Sequence, residues 1–223
     1  QGEIAAEYIV DGKYTKIGVI YNTDDVYSKG IYDAFAAKMQ ALGKEFTARQ
    51  FDNSNKTDFS TQVDALKDCD IIFLPMYYQE ATLIASKAAE KGCNAILFGS
   101  DGFDGIKDVL ASNVTNTIRY ITPFDAESTD AAVKEFVDAY KAKYNGEVPN
   151  QFAADGYDAV MVIYEALKKL NVTDAKMSVS DLCTKVSGVL SSADFTFTGA
   201  TGKMTWSADG VPTKAPQVKE LKK

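Results

Sequence analysis

Histidine is absent from these 223 residues, cysteine occurs three times, proline five times and tryptophan once. Without an imidazole, the usual general base of nucleophilic triads and the histidine ligands of zinc sites are missing. No apolar run approaches the roughly 20 residues that a membrane-spanning helix needs. The 31 acidic residues outnumber the 24 basic ones, leaving a net charge of −7. The lysines are scattered, so no basic patch offers itself to a phosphate backbone and no nucleic-acid partner is expected. Low-complexity tracts and internal repeats are also lacking. There is no signal-peptide pattern, and the abrupt start at Gln1 fits a processed or trimmed chain.

What remains is an ordinary globular composition, 46% apolar and 25% charged, long enough for one large or two small domains. Continuous apolar runs occur at 17–21, 71–74 and 95–98, with further strands at 46–51 and 118–121. Between them lie helical patterns at 4–10, 30–42, 59–66, 80–91 and 104–111. Strands recurring every 20 to 25 residues with helices between them specify an α/β fold, a parallel sheet flanked by helices on both faces. Unbroken apolar strands fit a sheet buried on both sides. After Pro123 the pattern changes. Helices are expected at 129–144, 151–170 and 180–190, and short β segments return at 195–198, 203–206 and 217–221. Cys69 and Cys93 precede consecutive strands and read as two buried, free thiols; a disulfide is the alternative if those strands are neighbours. Cys183 reads as a packed helix residue.

The strand ends carry the chemistry. The first strand runs into Asn22-Thr-Asp-Asp-Val-Tyr27, the third into Pro75-Met-Tyr77-Tyr78 and the fourth into Gly99-Ser-Asp101-Gly102. Ligands of open parallel sheets bind beyond the carboxyl ends of the strands. Tyr27, Tyr77 and Asp101 are therefore aimed at one crevice. A carboxylate at Asp101 suits a ligand ammonium, although aspartate is also a common helix N-cap. Each tyrosine offers a flat apolar face and one hydroxyl, useful in a small-molecule cleft or equally at home half-buried on a rim. Tyr78 should point away. The acidic pairs Asp24-Asp25 and Asp101/Asp104 have nothing to mark them as catalytic. The glycines of 99–105 fit neither a phosphate loop nor a calcium loop, and no metal or cofactor is expected. Trp206 reads as a strand residue at a sheet edge, and the three glycosylation sequons at Asn55, Asn113 and Asn171 as chance.

These residues, in this order, resemble the type I periplasmic binding proteins of the branched-chain-amino-acid kind. The resemblance is carried by Ala5-Ala-Glu-Tyr8-Ile9, Thr57-Asp-Phe-Ser60, Phe73-Leu-Pro-Met-Tyr77-Tyr78, Gly99-Ser-Asp101-Gly102 and Thr122-Pro-Phe124. It continues through Phe136-Val-Asp-Ala-Tyr140, Tyr157-Asp-Ala159, and Phe197-Thr-Gly-Ala-Thr-Gly202 leading to Trp206 and Asp209-Gly210. It implies two α/β lobes joined by a hinge that closes on a ligand. Residues 1–123 with 196–223 would form the second lobe, and 124–195 a partial, mostly helical first lobe whose opening portion has no counterpart here. Asp101 would hold the α-amino group of an amino acid or similar small polar ligand. Tyr27, Tyr77 and, near the hinge, Phe152 would be further ligand contacts, with core packing the alternative for Phe152. The implied function is an extracytoplasmic solute-binding protein, periplasmic or lipid-anchored, delivering to the membrane subunits of an ABC transporter. The alternative is the ligand-sensing domain of a receptor or transcriptional regulator. An enzyme such as a small hydrolase ranks last, because histidine and a nucleophile elbow are both missing. With part of a lobe absent, the apolar stripes at 133–140 and 160–167 are expected to be uncovered and to favour self-association.

Overall fold

A computed structural model describes residues 1–172 and 176–221. They divide into two compact units, Gln1–Thr122 with the chain from Val218, and Pro123–Gln217.

The first unit is built on a six-stranded sheet. Its strands are β1 (Ile17–Asn22), β2 (Thr47–Phe51), β3 (Ile71–Leu74), β4 (Ile96–Gly99), β5 (Ile118–Thr122) and β9 (Gln217–Glu220), in the order β2-β1-β3-β4-β5-β9. The pairs β1–β2, β1–β3, β3–β4 and β4–β5 are parallel, with Ile17 beside Ile71, Ile71 beside Ile96 and Leu97 beside Ile118. From β1 the chain steps outward to β2 and then back across to β3. That reversal opens a crevice at the carboxyl ends of β1 and β3.

Strand alternation sorts the side chains into two cores. Val19, Ile71, Phe73, Phe98 and Ile121 meet α1 (Gly2–Asp11) and α2 (Val26–Ala41) through Ala5, Ala6, Ile9, Phe35 and Met39. Ile20, Ile72, Leu74, Leu97 and Ile118 meet α3 (Ser60–Leu66), α4 (Tyr78–Glu90) and α5 (Ile106–Val109) through Phe59, Val63, Leu66, Ile84 and Ile106. Each of these side chains other than the alanines contributes about 1.5–3 kcal/mol by leaving water. With both faces covered, β3 is buried at every position. Strand β2 lies at the sheet edge, and there only Phe51 is fully buried.

Two local departures from the sequence reading position the site. Helix α2 starts four residues before Gly30, because the Asp25 carboxylate accepts the backbone N–H groups of Tyr27 and Ser28 and caps the first turn. Tyr27 thus stands on a helix rather than in a loop. The expected helix at 104–111 shrinks to the short α5, and a separate 3₁₀ turn, Asp101–Phe103, precedes it. Between them Gly105 takes φ 92°, a left-handed conformation that suits glycine.

The second unit holds α6 (Ala131–Lys143), α7 (Gln151–Lys169) and α8 (Val179–Leu190). A small antiparallel sheet of β6 (Phe197–Gly199), β7 (Gly202–Trp206) and β8 (Pro212–Thr213) packs with them. The structure thus places residues 196–217 with these helices, not with residues 1–123. The reason is packing: Phe195 and Met204 share a core with Val162 and Ala166 of α7, and Ala200 joins Phe124, Val133, Phe136 and Val137. The stripe expected to be bare at 133–140 is covered at Val133, Phe136 and Val137, which are buried with Phe124, Ala154 of α7 and Ala200. The α7 stripe is bare as expected, with Val160, Ile163 and Tyr164 at least half exposed. Asp158 joins helix to sheet from inside: its carboxylate accepts the N–H of Ala200 (2.9 Å), the N–H of Thr201 (2.7 Å) and the Thr201 hydroxyl (2.6 Å).

Trp206 ends the middle strand rather than an edge strand and packs on Phe195. The three cysteines are free: Cys93 is buried, Cys69 partly buried, and Cys183 exposed on α8 rather than packed. The sequon at Asn171 extends outside the described residues.

Candidate functional site

The site forms where β1, β3 and β4 end. Because these strands run side by side in one direction, the residues that follow them emerge together. Tyr27 comes from the first turn of α2, Tyr77 from the residue before α4, and Asp101 from the 3₁₀ turn after β4. The Tyr27 hydroxyl donates to Asp101 Oδ1. The Tyr27 hydroxyl oxygen in turn accepts the backbone N–H of Gly102 at 3.0 Å and lies 2.9 Å from Ser100 Oγ. The rings of Tyr27 and Tyr77 stack with centroids 4.6 Å apart and planes 22° from parallel. Burial, then the neighbouring Asp101 charge, pushes the Tyr27 phenol far above the ordinary tyrosine range. Burial and the charges of Asp25 and Asp101 raise that of Tyr77 as well. Both phenols are therefore neutral hydrogen-bond groups at neutral pH.

The 3₁₀ turn that holds Asp101 is preceded by Ser100, α5 starts from Gly105, and the Asp101 carboxylate receives the Tyr27 phenol. Two neighbours escaped the sequence reading. Ser100 is fully buried, and the Gln1 side-chain oxygen accepts the Asp101 N–H at 3.0 Å. The signal for Ser100 is a small polar residue directly after an apolar strand, whereas no sequence signal pairs Gln1 with Asp101. Tyr78 turns into the core cluster, as expected. Phe152 belongs to the second unit, where it stands 41% exposed in the first turn of α7.

Beside Tyr77 a hollow of about 270 Å³ is lined by Asn22, Asp25, Asn53, Met76 and Glu80 among others. Its acidic groups have structural partners. Asp25 caps α2, Asp24 accepts the Asn53 N–H at 3.0 Å, and Glu80 faces Lys56 at 3.6 Å. A hollow of about 400 Å³ around Thr15, Lys16 and Cys69 lies at the amino ends of the strands, away from the crevice. Among the described residues there is no cluster of metal-ligating side chains, and no helix is long and apolar enough to cross a membrane. What the strand-end site can do is bind: a carboxylate held beside aromatic faces attracts a small cationic group.

Comparison with known proteins agrees with this architecture. A family model described as periplasmic binding protein matches residues 1–216. Leu/Ile/Val-binding protein homolog 3 of Brucella melitensis is 26% identical over 187 residues, which make up 81% of this chain and 49% of that protein. Leu/Ile/Val-binding protein homolog 7 of Brucella abortus is 29% identical over 190 residues, 78% of this chain and 46% of that one. The chain thus spans about half the length of the curated relatives it matches. Among solved structures, the leucine binding protein LivK of Thermotoga maritima superposes with a TM-score of 0.84 at 24% identity, covering all of this chain and 62% of its own. The substrate-binding protein LivJ of Streptococcus pneumoniae, solved with isoleucine, gives 0.73 at 26% identity over 99% of this chain and 65% of its own. A solute-binding protein of R. palustris solved with benzoate gives 0.81 at 16% identity, a likeness of fold alone. With strand order, strand-end site and a family match over nearly the whole length in agreement, the chain belongs to the periplasmic binding protein family, as a relative of its Leu/Ile/Val-binding members.

Proposed function

We propose that this chain carries the amino-group site of an extracytoplasmic solute-binding protein. It captures an amino acid or similar small polar ligand by hinge closure and delivers it to the membrane subunits of an ABC transporter. On this reading the protein is not an enzyme, residues 1–122 correspond to the family's second lobe, and the helical unit is part of the first. The observation that carries the reading is Asp101, a carboxylate at the end of β4 beside the stacked pair Tyr27 and Tyr77. A ligand ammonium there gains a charge-assisted hydrogen bond worth about 1.5–3 kcal/mol. An anionic ligand such as a benzoate would meet the same carboxylate with repulsion. Phe152, exposed at the start of α7, is proposed as an aromatic ligand contact. The test is isothermal titration of the whole gene product against a panel of amino acids and, separately, benzoates. Amino-acid binding is expected; silence across the amino-acid panel, or a preference for benzoates, would refute the reading.

The α7 stripe supports a second proposal. Val160, Ile163 and Tyr164 lie opposite Val162 and Ala166, which already pack on the small sheet, so α7 is apolar on two sides. An exposed apolar stripe of this kind marks an interaction surface. The 223-residue chain by itself is therefore expected to self-associate through this face, and Ile163→Glu with Tyr164→Glu to return it to monomer. Sedimentation velocity reads the outcome; a monomeric parent chain would contradict the proposal.

A further inference from the structure

We infer that Tyr27 and Ser100 are positioning residues for the Asp101 carboxylate, and that of the two stacked tyrosines Tyr77 presents the more exposed face to the ligand. The inference rests on reading Asp101 as the ammonium site and deepens that reading.

Hydrogen-bond capacity decides the roles. A phenol has one proton to donate and two lone pairs to accept with. The proton of Tyr27 goes to Asp101 Oδ1, because an ionised acceptor makes the stronger bond. One lone pair takes the Gly102 N–H at 3.0 Å. The other faces Ser100 Oγ at 2.9 Å. Ser100 has one hydroxyl proton and two candidate acceptors, Tyr27 Oη at 2.9 Å and the Met76 carbonyl at 3.4 Å. The shorter contact takes it. The Tyr27 oxygen is then saturated by three protein partners and has nothing left for a ligand.

Its ring is covered on one face. One face lies against Tyr77 at 4.6 Å. Tyr77, 41% exposed, keeps an outer face and an edge toward solvent. Ser100 has no exposed surface, so a ligand entering from solvent cannot touch it. Yet Ser100 lies at the point where the ends of β3 and β4 and the first turn of α2 meet. It fixes the phenol, and the phenol fixes the carboxylate. A carboxylate held in one orientation gives up little freedom when a cation arrives, which is how supporting residues raise affinity without contact.

A double-mutant cycle distinguishes positioning from contact. L-Leucine, or whichever panel amino acid binds tighter, is titrated into the whole gene product by calorimetry, with circular dichroism confirming the fold of each variant. Tyr27→Phe keeps the ring under Tyr77 and removes only the hydroxyl; it is expected to weaken binding about tenfold. Ser100→Ala is expected to weaken it about threefold, the smaller effect of a more remote group. Asp101→Ala is expected to weaken it at least as much as Tyr27→Phe. Combining Tyr27→Phe with Asp101→Ala is expected to add less than about twofold, because the hydroxyl acts through the carboxylate. Tyr77→Ala, a contact in its own right, adds its full loss to that of Asp101→Ala. Additive losses for Tyr27→Phe, or unchanged affinity in both Tyr27→Phe and Ser100→Ala, overturn the inference while the binding function stands. If no amino acid binds the unmodified protein, the ammonium-site reading fails and this inference fails with it.

Discussion

Replacing Asp158 by alanine is expected to unfold the helical unit while the six-stranded sheet stays intact. Asp158 is 2% exposed, and its carboxylate satisfies two backbone N–H groups and one hydroxyl of the turn that links β6 to β7. Hydrogen bonds to a charged group are worth about 1.5–3 kcal/mol each, and an orphaned buried donor costs about 1–3 kcal/mol. Even with incomplete additivity the loss exceeds about 3 kcal/mol, a large part of the roughly 5–15 kcal/mol that holds a domain together. Asp158→Asn retains the shape and one acceptor oxygen, so its loss is smaller. Gly199→Ala provides an independent route to the same failure. A Cβ built at Gly199 falls 2.2 Å from Asp158 Oδ1, so the carboxylate must move off the turn without being removed. Native-state hydrogen exchange is the measurement. Both Asp158→Ala and Gly199→Ala should lose protection along α7 and β6–β7 but not along β1, β3 and β4. Retained protection in α7 would mean that the apolar contacts of Val162, Ala166, Phe195 and Met204 suffice alone.

That turn also shows what a sequence conceals. Strands β1, β3 and β4 are legible because burial on both faces demands largely apolar runs, and such a run is visible without knowing the neighbours. Once those strands were parallel and adjacent, Tyr27, Tyr77 and Asp101 had to emerge on one side of the sheet. Their meeting follows from local signals plus one topological rule. The residues between 196 and 217 gave no such handle. Short strands punctuated by glycine pack equally well on either core, and only the long-range contacts of Ala200 and Met204 decide which. Asp158 is invisible for the same reason. A charged residue inside a helix pattern reads as solvated until a partner 42 residues away is known.

Within the site, the start of α2 is hard to read because Val26–Lys29 adds little to the buried apolar stripe; Val26 itself is 88% exposed. The informative signal was Asp25, a cap at the right distance from Tyr27 and Ser28. Recognising that cap puts Tyr27 on a rigid turn, and a rigid turn explains how its hydroxyl can serve Asp101, Gly102 and Ser100 at once.

Gly102→Ala is expected to abolish most ligand capture while leaving the first unit folded. A Cβ at this position would lie 2.6 Å from the Met76 carbonyl oxygen and 3.0 Å from Tyr27 Oη. The carbonyl belongs to the buried connection between β3 and α4 and cannot swing aside like the end of a flexible side chain. The 3₁₀ turn must yield instead, lifting the Gly102 N–H from the phenol and drawing Asp101 away from it. Overpacking of this kind costs about 1–3 kcal/mol. The two cores of the first unit can absorb that loss, since neither depends on Gly102. The site cannot absorb it, because an ammonium ligand then meets a displaced carboxylate; a loss of about 1.4 kcal/mol or more in binding is tenfold or more in affinity. Gly30→Ala is the matched control. Nothing lies within 4 Å of its built Cβ, the residue sits in α2, and alanine there should stabilise by about 0.5–1 kcal/mol. Urea unfolding should therefore move in opposite directions for the two variants, and calorimetric titration with the amino acid should be impaired only for Gly102→Ala. Wild-type affinity in Gly102→Ala would mean that the Tyr27–Asp101 contact tolerates displacement, and that capture does not depend on holding this carboxylate in place.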